Sequence, residues 1–376
     1  MAVATIQSVL GNTKWRIAIC TVFGLLLLHF IFVDDTLRNA YAPEAVAKVA
    51  PPVAPVETAP PLPGVEAPSP VTAVEAAPVA CTNTTAPPVW PPMPKPKSIP
   101  PFESGDNGGY LAICLVTKDQ YPDLTEWLVH HYHHHGIRRF YIMDDGSSPM
   151  LATLDYSEFI DPKAITHRYY PKEILKQNFH QQVMYDECMK LYGHKHKWMA
   201  FIDTDEFFET KGGETIYDIL KKFDEDEKVG ALGVNWEIHT SGGLLTRPES
   251  SRKAFTTCIQ DIEKEPYPKV GLKNQHIKTI VKTSKYAGMQ TVHSVNVKEG
   301  SVVVGEHGDT ITRGAWRIPT TRDRISLHHY ASKSKEQFEA KIHRGNAMND
   351  PKTWDWWNEH ENYPNRTCDS MTKYDP

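Results

Sequence analysis

From Tyr110 onward, short apolar runs alternate with stretches whose apolar positions recur at helical spacing. Tyr110–Thr117 (YLAICLVT) has the length and continuous apolar character of a strand buried on both faces, as in a parallel sheet. In the next segment Leu124, Trp127, Leu128 and His131 share one helical face. Asp123, with Glu126 three residues on, predicts a capping box at its start, and Gly136 predicts its stop. Strands are predicted at Arg139–Met143, near Ala164–Tyr170 and at Trp198–Ile202, with a helix from about Phe179 to Tyr192 between the last two. This alternation predicts an α/β sheet whose ligand site lies beyond the carboxyl ends of its strands. Ser332–Gly345 reads as a helix with Phe338 and Ile342 inward and Lys335, Lys341 and Arg344 available to anions. Beyond it, Trp354, Trp356 and Trp357 form an aromatic group suited to a core or to stacking on sugar rings.

Ahead of Tyr110 the pattern changes twice. Ile17–Val33 has no formally charged residue, and a helix of that length reaches about 25 Å, just enough to span a bilayer. Phe30-Ile31-Phe32-Val33 followed by Asp34 and Asp35 lacks the small residues of a signal-peptide cleavage site, which favours an uncleaved anchor. Lys14 and Arg16 before the span, with the aspartates after it, predict a cytosolic tail at 1–16 and a lumenal remainder. So short a span suits the Golgi or another early-secretory membrane. Residues 34–104 read as a disordered stem: 18 of the 29 prolines fall between Tyr41 and Pro101, and they favour extended polyproline II over a packed core. The folded domain is then 105–376. Asn83-Thr84-Thr85 and Asn365-Arg366-Thr367 are N-glycosylation acceptors, in keeping with a lumenal location.

Composition removes several classes of function. With 40% hydrophobic and 10% aromatic residues the chain fills a sizeable core, which excludes wholesale disorder. A net charge of -5 leaves no global basic surface for nucleic acid. Cys20 lies in the span, and the other five cysteines have no CxxC spacing; a zinc ribbon is not indicated, and disulfide pairing stays open. No GxGxxG follows a strand, and neither GxxxxGK[ST] nor GxSxG occurs.

Two acidic clusters sit at predicted strand ends: Asp144-Asp145, and Asp203-Thr204-Asp205-Glu206 after WMAFI. Carboxylates gathered there repel one another unless a cation joins them, and a divalent ion with oxygen ligands is the usual solution. The competing reading is an acidic turn capping the next helix. In HHYHHH, His130/His134 and His131/His135 have i,i+4 spacing, but without HExxH or an acidic third ligand they read as a helix surface rather than a zinc site. His293, His328 and His329 are strand-end imidazoles able to complete a coordination sphere begun by carboxylates, though a hydrogen-bonded core histidine is the simpler reading of each.

Five blocks together carry a resemblance: TEWLVHHYHHHGIRRFYIMDDGS, QQVMYDECMKLYGHKHKWMAFIDTDEFF, VNWEIHTSGG with Arg247-Pro248, IKTIVKTSKYAGMQTVHSV and LHHYASKSKEQFEAKIHRG. In this order and spacing, over roughly Leu111 to Gly345, the chain resembles the family 92 glycosyltransferases, related to the wider family 2-like group. The resemblance implies an α/β GT-A fold with a Rossmann-like mixed sheet, a UDP-sugar donor such as UDP-galactose, a divalent metal, usually manganese, and inversion at the anomeric carbon. It also implies a glycan acceptor. On this resemblance Asp203, Asp205 and His329 hold the metal, with Asp203 also at the donor. Val116, Thr117, Lys118, Asp144 and Asp145 contact the nucleoside, and Lys335 and Arg344 the diphosphate. Trp236, His239, Gly242 and Gly243 would shape the acceptor pocket. Glu237 is the candidate base for the acceptor hydroxyl, Asp261 and Asp309 being alternatives. Where the pattern often has SSG after the NW pair, this chain has Thr240-Ser241-Gly242. A metal-dependent hydrolase using the same Asp and His residues, or a glycan-binding lumenal protein without catalysis, are the competing readings.

Overall fold

The computed structural model describes residues 93–102, 109–171, 180–261, 271–348 and 350–375. The expected span and the stem up to residue 92 lie outside them. Among the described residues, no helix is long and apolar enough to cross a membrane.

The first three strands are β1 (Leu111–Thr117), β2 (Phe140–Asp144) and β3 (Ile165–Tyr169), followed by β4 (Trp198–Phe201), β5 (Glu206–Thr210) and β6 (Val229–Ile238). Then come β7 (Thr257–Ile259), β8 (Ile277–Lys282), β9 (Tyr286–Met289), β10 (Val295–Val297), β11 (Val302–Val304), β12 (Ile325–His329) and β13 (Asn365–Thr367). The longer helices are α1 (Tyr121–Val129), α2 (His180–Tyr192), α3 (Ile216–Asp224), α4 (Lys335–Arg344) and α5 (Trp354–Glu361). The strands expected between Tyr110 and Ile202, and the helix α2, are present within two residues of their expected ends; α1 is capped at Gln120, three residues before the expected cap at Asp123, and ends at Val129, a π turn filling most of the interval to Gly136.

The main sheet runs β3-β2-β1-β4-β8-β6-β12-β5, with β11 also on β6. β1, β2, β3 and β4 are parallel, so their carboxyl ends share one edge. β8 enters antiparallel between β4 and β6, and β5 closes the far side antiparallel to β12. This is a mixed α/β fold. Along β1, Leu111, Ile113 and Leu115 join the apolar cluster that contains α1 and α3, whereas Ala112, Cys114 and Val116 join the one that contains α2. The period-two alternation of a strand thereby feeds two helical layers. Cys114–Cys188 ties β1 to α2, and Cys258–Cys368 ties β7 to the residue after β13.

The capping box expected at α1 is not formed. Gln120 is the N-cap and makes no side-chain cap bond. Asp123 instead pairs with Arg247 and with Lys333 Nζ at 2.8 Å. Glu126 accepts from Ser250 Oγ (2.7 Å), Ser251 N (2.9 Å) and Arg252 Nε (3.1 Å). Both acids are buried, and partners distant in sequence outbid the local backbone. The histidine run forms one π turn, His130–His134. There His130 and His135 meet the Phe208 carbonyl, both at 2.7 Å, and His131 meets the Trp127 carbonyl at 2.8 Å.

Residues 93–102, counted with the stem from sequence, lie against the domain. Phe102 N–H donates to Asp161 Oδ2 at 2.8 Å, Tyr132 donates its hydroxyl to the Pro100 carbonyl, and Arg139 covers the Phe102 ring at 4.2 Å.

Candidate active site

A cleft of about 770 Å³ opens at the carboxyl edge of β1 and β4. One wall carries Val116, Thr117 and Lys118 from the end of β1, together with Asp145, Asp203 and Asp205. Trp236 and His329 line it from β6 and β12, and Lys341 and Arg344 from α4. These residues come from segments far apart in the sequence.

Each carboxylate has a distinct environment. Asp203 Oδ1 accepts from Gln181 Nε2 (2.8 Å) and the Tyr185 hydroxyl (3.2 Å), while Oδ2 takes Lys278 Nζ at 2.7 Å. Asp205 Oδ2 meets Lys341 Nζ at 3.0 Å, and its Oδ1 lies 3.6 Å from His329 Nε2. Burial pushes the Asp205 carboxyl upward, but Lys341, His329 and Lys333 outweigh it and hold it well below the usual carboxylate range. Burial lowers His329 to about 3, so at neutral pH its ring is uncharged and carries a lone pair. Glu206, the first residue of β5, folds back beneath the turn, its Oε2 accepting from Asp203 N–H at 2.8 Å. Burial raises its pKa against the pull of Lys278.

The oxygen of Asp205 and the imidazole of His329 suit a divalent cation of manganese type. Asp203 fits less well, because both its oxygens are taken. Three groups of potential ligand atoms within 4.8 Å of one another occur among the described residues, and Asp203/Asp205/His329 is not one of them.

Asp144 and Asp145 separate as strand-end neighbours do. Asp145 lines the cleft, 3.2 Å from His180 Nε2, and burial raises its pKa against the pull of His180 and Lys118. Asp144 points inward and holds its own loop through Ser147 N and Leu151 N, both at 2.9 Å. On α4, Lys341 and Arg344 are three residues apart and share a face. Lys335, at the first turn, lies instead 5.8 Å from the Trp354 ring and outside the cleft lining.

The expected acceptor and base set is largely displaced from the cleft. Trp236 faces it, packed against His329 and His276 with ring centroids at 4.2 and 5.0 Å. Its neighbour Glu237 points through the opposite face of β6, because successive strand residues alternate. There Glu237 pairs with Arg366 and approaches His328 Nε2 (3.5 Å) and Arg322 Nε (3.8 Å). Burial opposes ionisation, yet His328, Arg322 and Arg366 lower Glu237 to about 2. A carboxylate so compensated and so turned is a structural anion, which corrects its assignment as base. The alternatives are also committed: Asp261 to Arg322, and Asp309 to Arg317 at 2.7 Å. His239 follows Glu237 into the interior, between the Phe255 carbonyl (2.6 Å) and His328 Nδ1 (2.8 Å). Gly242 and Gly243 form a turn with φ of 57° and 81°, conformations that favour glycine, and line no part of the cleft.

Glu237→Gln is therefore expected to keep kcat within about threefold while lowering thermal stability by about 1–3 kcal/mol, the cost of a weakened buried polar pair. Steady-state kinetics beside a melting curve check this, and a large kcat loss at unchanged melting temperature would restore Glu237 as the base.

Sequence reading missed Lys278, Gln181 and Tyr185, the three groups that grip Asp203. The one available signal was a lysine inside the apolar strand IKTIVK, where a solvent-facing position was the simpler reading.

Comparison with known proteins gives one family match, "Glycosyltransferase family 92", across residues 110–366. A family 92 protein of Oryza sativa subsp. japonica is 25% identical over 152 residues, which are 39% of this chain and 24% of that protein. One from Ricinus communis is 23% identical over 258 residues, 68% of this chain and 41% of that protein. The chain thus spans less than half the length of these relatives. Among solved structures, a mannosyltransferase from Pyrobaculum calidifontis in complex with GDP-Man and Mn2+ is 17% identical, covering 37% of this chain and 39% of that one, at a TM-score of 0.25. The galactosyltransferase LgtC with donor and acceptor sugar analogues is 13% identical, covering 64% and 96%, at a TM-score of 0.27.

Proposed function

We propose, from the premise that the chain belongs to glycosyltransferase family 92, that it moves a hexose, galactose foremost, from a UDP-sugar to a glycan hydroxyl with inversion. The observation that carries this reading is Asp205 set 3.6 Å from His329, on the wall of a cleft at the carboxyl edge of the sheet. An acidic turn at the end of a central parallel strand in a mixed sheet also supports a GT-A fold.

In this reading Asp205 and His329 hold a divalent ion, which when bound neutralises charge on the departing diphosphate. Lys341 and Arg344 supply further positive charge to the same anion from the last turn of α4. Val116, Thr117 and Asp145 form the nucleoside side of the cleft, and Trp236 gives the acceptor sugar an apolar face. Two disulfides favour an oxidising compartment, which supports the Golgi or another secretory-pathway membrane as the site of action. Anchoring by residues 17–33 completes the proposal as a type II membrane enzyme.

The test is nucleotide release across UDP-sugars and glycan acceptors with manganese. Chelation by EDTA is expected to remove more than about 99% of transfer, on the scale of a lost transition-state charge interaction, and manganese to restore it. Undiminished transfer in EDTA would overturn the metal assignment. Donor consumption independent of any acceptor would identify a hydrolase.

A further inference from the structure

Lys278 is the second residue of β8, a strand that runs antiparallel to β4 with Ala200 opposite Ile280. Continuing that register brings Lys278 beside Ile202, immediately before the acidic turn. Its side chain is 1% exposed, yet its ammonium meets Asp203 Oδ2 at 2.7 Å and Glu206 Oε2 at 3.7 Å.

Lys341, the other lysine on the motif, differs in freedom. Its side chain is 21% exposed and lines the cleft, so it can leave Asp205 for an incoming diphosphate. Lys278 has no such route. Its other ion-pair partner, Glu206, belongs to the same turn and lies farther, at 3.7 Å, and leaving the turn altogether would strand a charge in the interior. The remaining oxygen of Asp203 is fixed by Gln181 and Tyr185 from α2.

We propose that Lys278 is a built-in counter-cation that withholds Asp203 from the metal, leaving Asp205 and His329 as the protein ligands and making Asp203 a rigid strut of the turn. This rests on the metal-dependent transferase reading above. Lys278 acts through Asp203 and is a positioning residue.

Manganese(II) titrated into the full chain with UDP present, followed by the loss of the free-ion electron paramagnetic resonance signal, tests it without reference to turnover. Asp203→Asn is expected to leave manganese affinity within about threefold of the parent, whereas Asp205→Asn lowers it at least about thirtyfold. Lys278→Met, nearly isosteric, frees Asp203 and is expected to tighten manganese at least about tenfold, a gain that disappears in Lys278→Met/Asp203→Asn. If Asp203→Asn weakens manganese as much as Asp205→Asn does, Asp203 is a ligand and the proposal fails. Unchanged affinity in a folded Lys278→Met variant also overturns it; should that variant not fold, the two aspartate variants decide alone. Retention of manganese by Asp205→Asn would instead overturn the metal-site reading beneath it.

Discussion

Asp205→Asn is expected to reduce transfer by about 10³-fold or more while the domain stays folded. The substitution removes the charge that Lys341 and His329 both face and keeps the shape of the side chain. The backbone bond that seats the turn, Tyr330 N–H to the Asp205 carbonyl at 2.8 Å, is unaffected. Removing a single preorganised group that stabilises transition-state charge costs about 10² to 10³ in kcat, and loss of bound metal adds to it. The check is kcat/KM for nucleotide release at saturating manganese, with the melting temperature measured alongside. Parent-like turnover would remove Asp205 from the chemistry.

Glu126→Ala is the largest stability loss expected. Glu126 joins α1 to the start of the short helix Ser251–Ala254, which Ser250 caps, and it neutralises the Arg252 guanidinium, whose side chain is 1% exposed. Truncation leaves that charge uncompensated in the interior, at a cost of about 3–5 kcal/mol, or a drop of roughly 10 °C in a domain of this size. Burial raises the Glu126 pKa, but Arg252, Ser250 and backbone donors outweigh it, so the folded value lies below the unfolded one. Its contribution is then complete above about pH 4.3 and fades as the pH falls through the folded value. The gap between variant and parent should narrow in acid, which denaturant titrations at pH 7 and pH 3 measure. A gap that widened in acid would contradict the pairing.

These cases show where the sequence was legible. β1, β2, β4 and α2 were readable because continuous apolar runs and helical spacing are local signals, and Asp203 and Asp205 because they follow such a run directly. Asp123 and Glu126 were misread as a local cap, since nothing near them in sequence announces Arg247, Lys333 or Arg252. Glu237 was misread by one step of strand alternation: its neighbour Trp236 does face the cleft, and which of the two would face it depended on how β6 sits between β8 and β12. Lys278 was invisible for the same reason, because its partner strand was identifiable only once β8 was seen to run back along β4.

The contacts of residues 93–102 have a mechanical consequence. Asp161, Arg139 and Tyr132 all lie where β2 and β3 begin or where α1 ends, the rim opposite the mouth that holds Asp205. The chain therefore joins the domain as a handle joins a ladle, behind the bowl. Residues 93–102 line no part of the cleft, so a ligand can enter the mouth without displacing them.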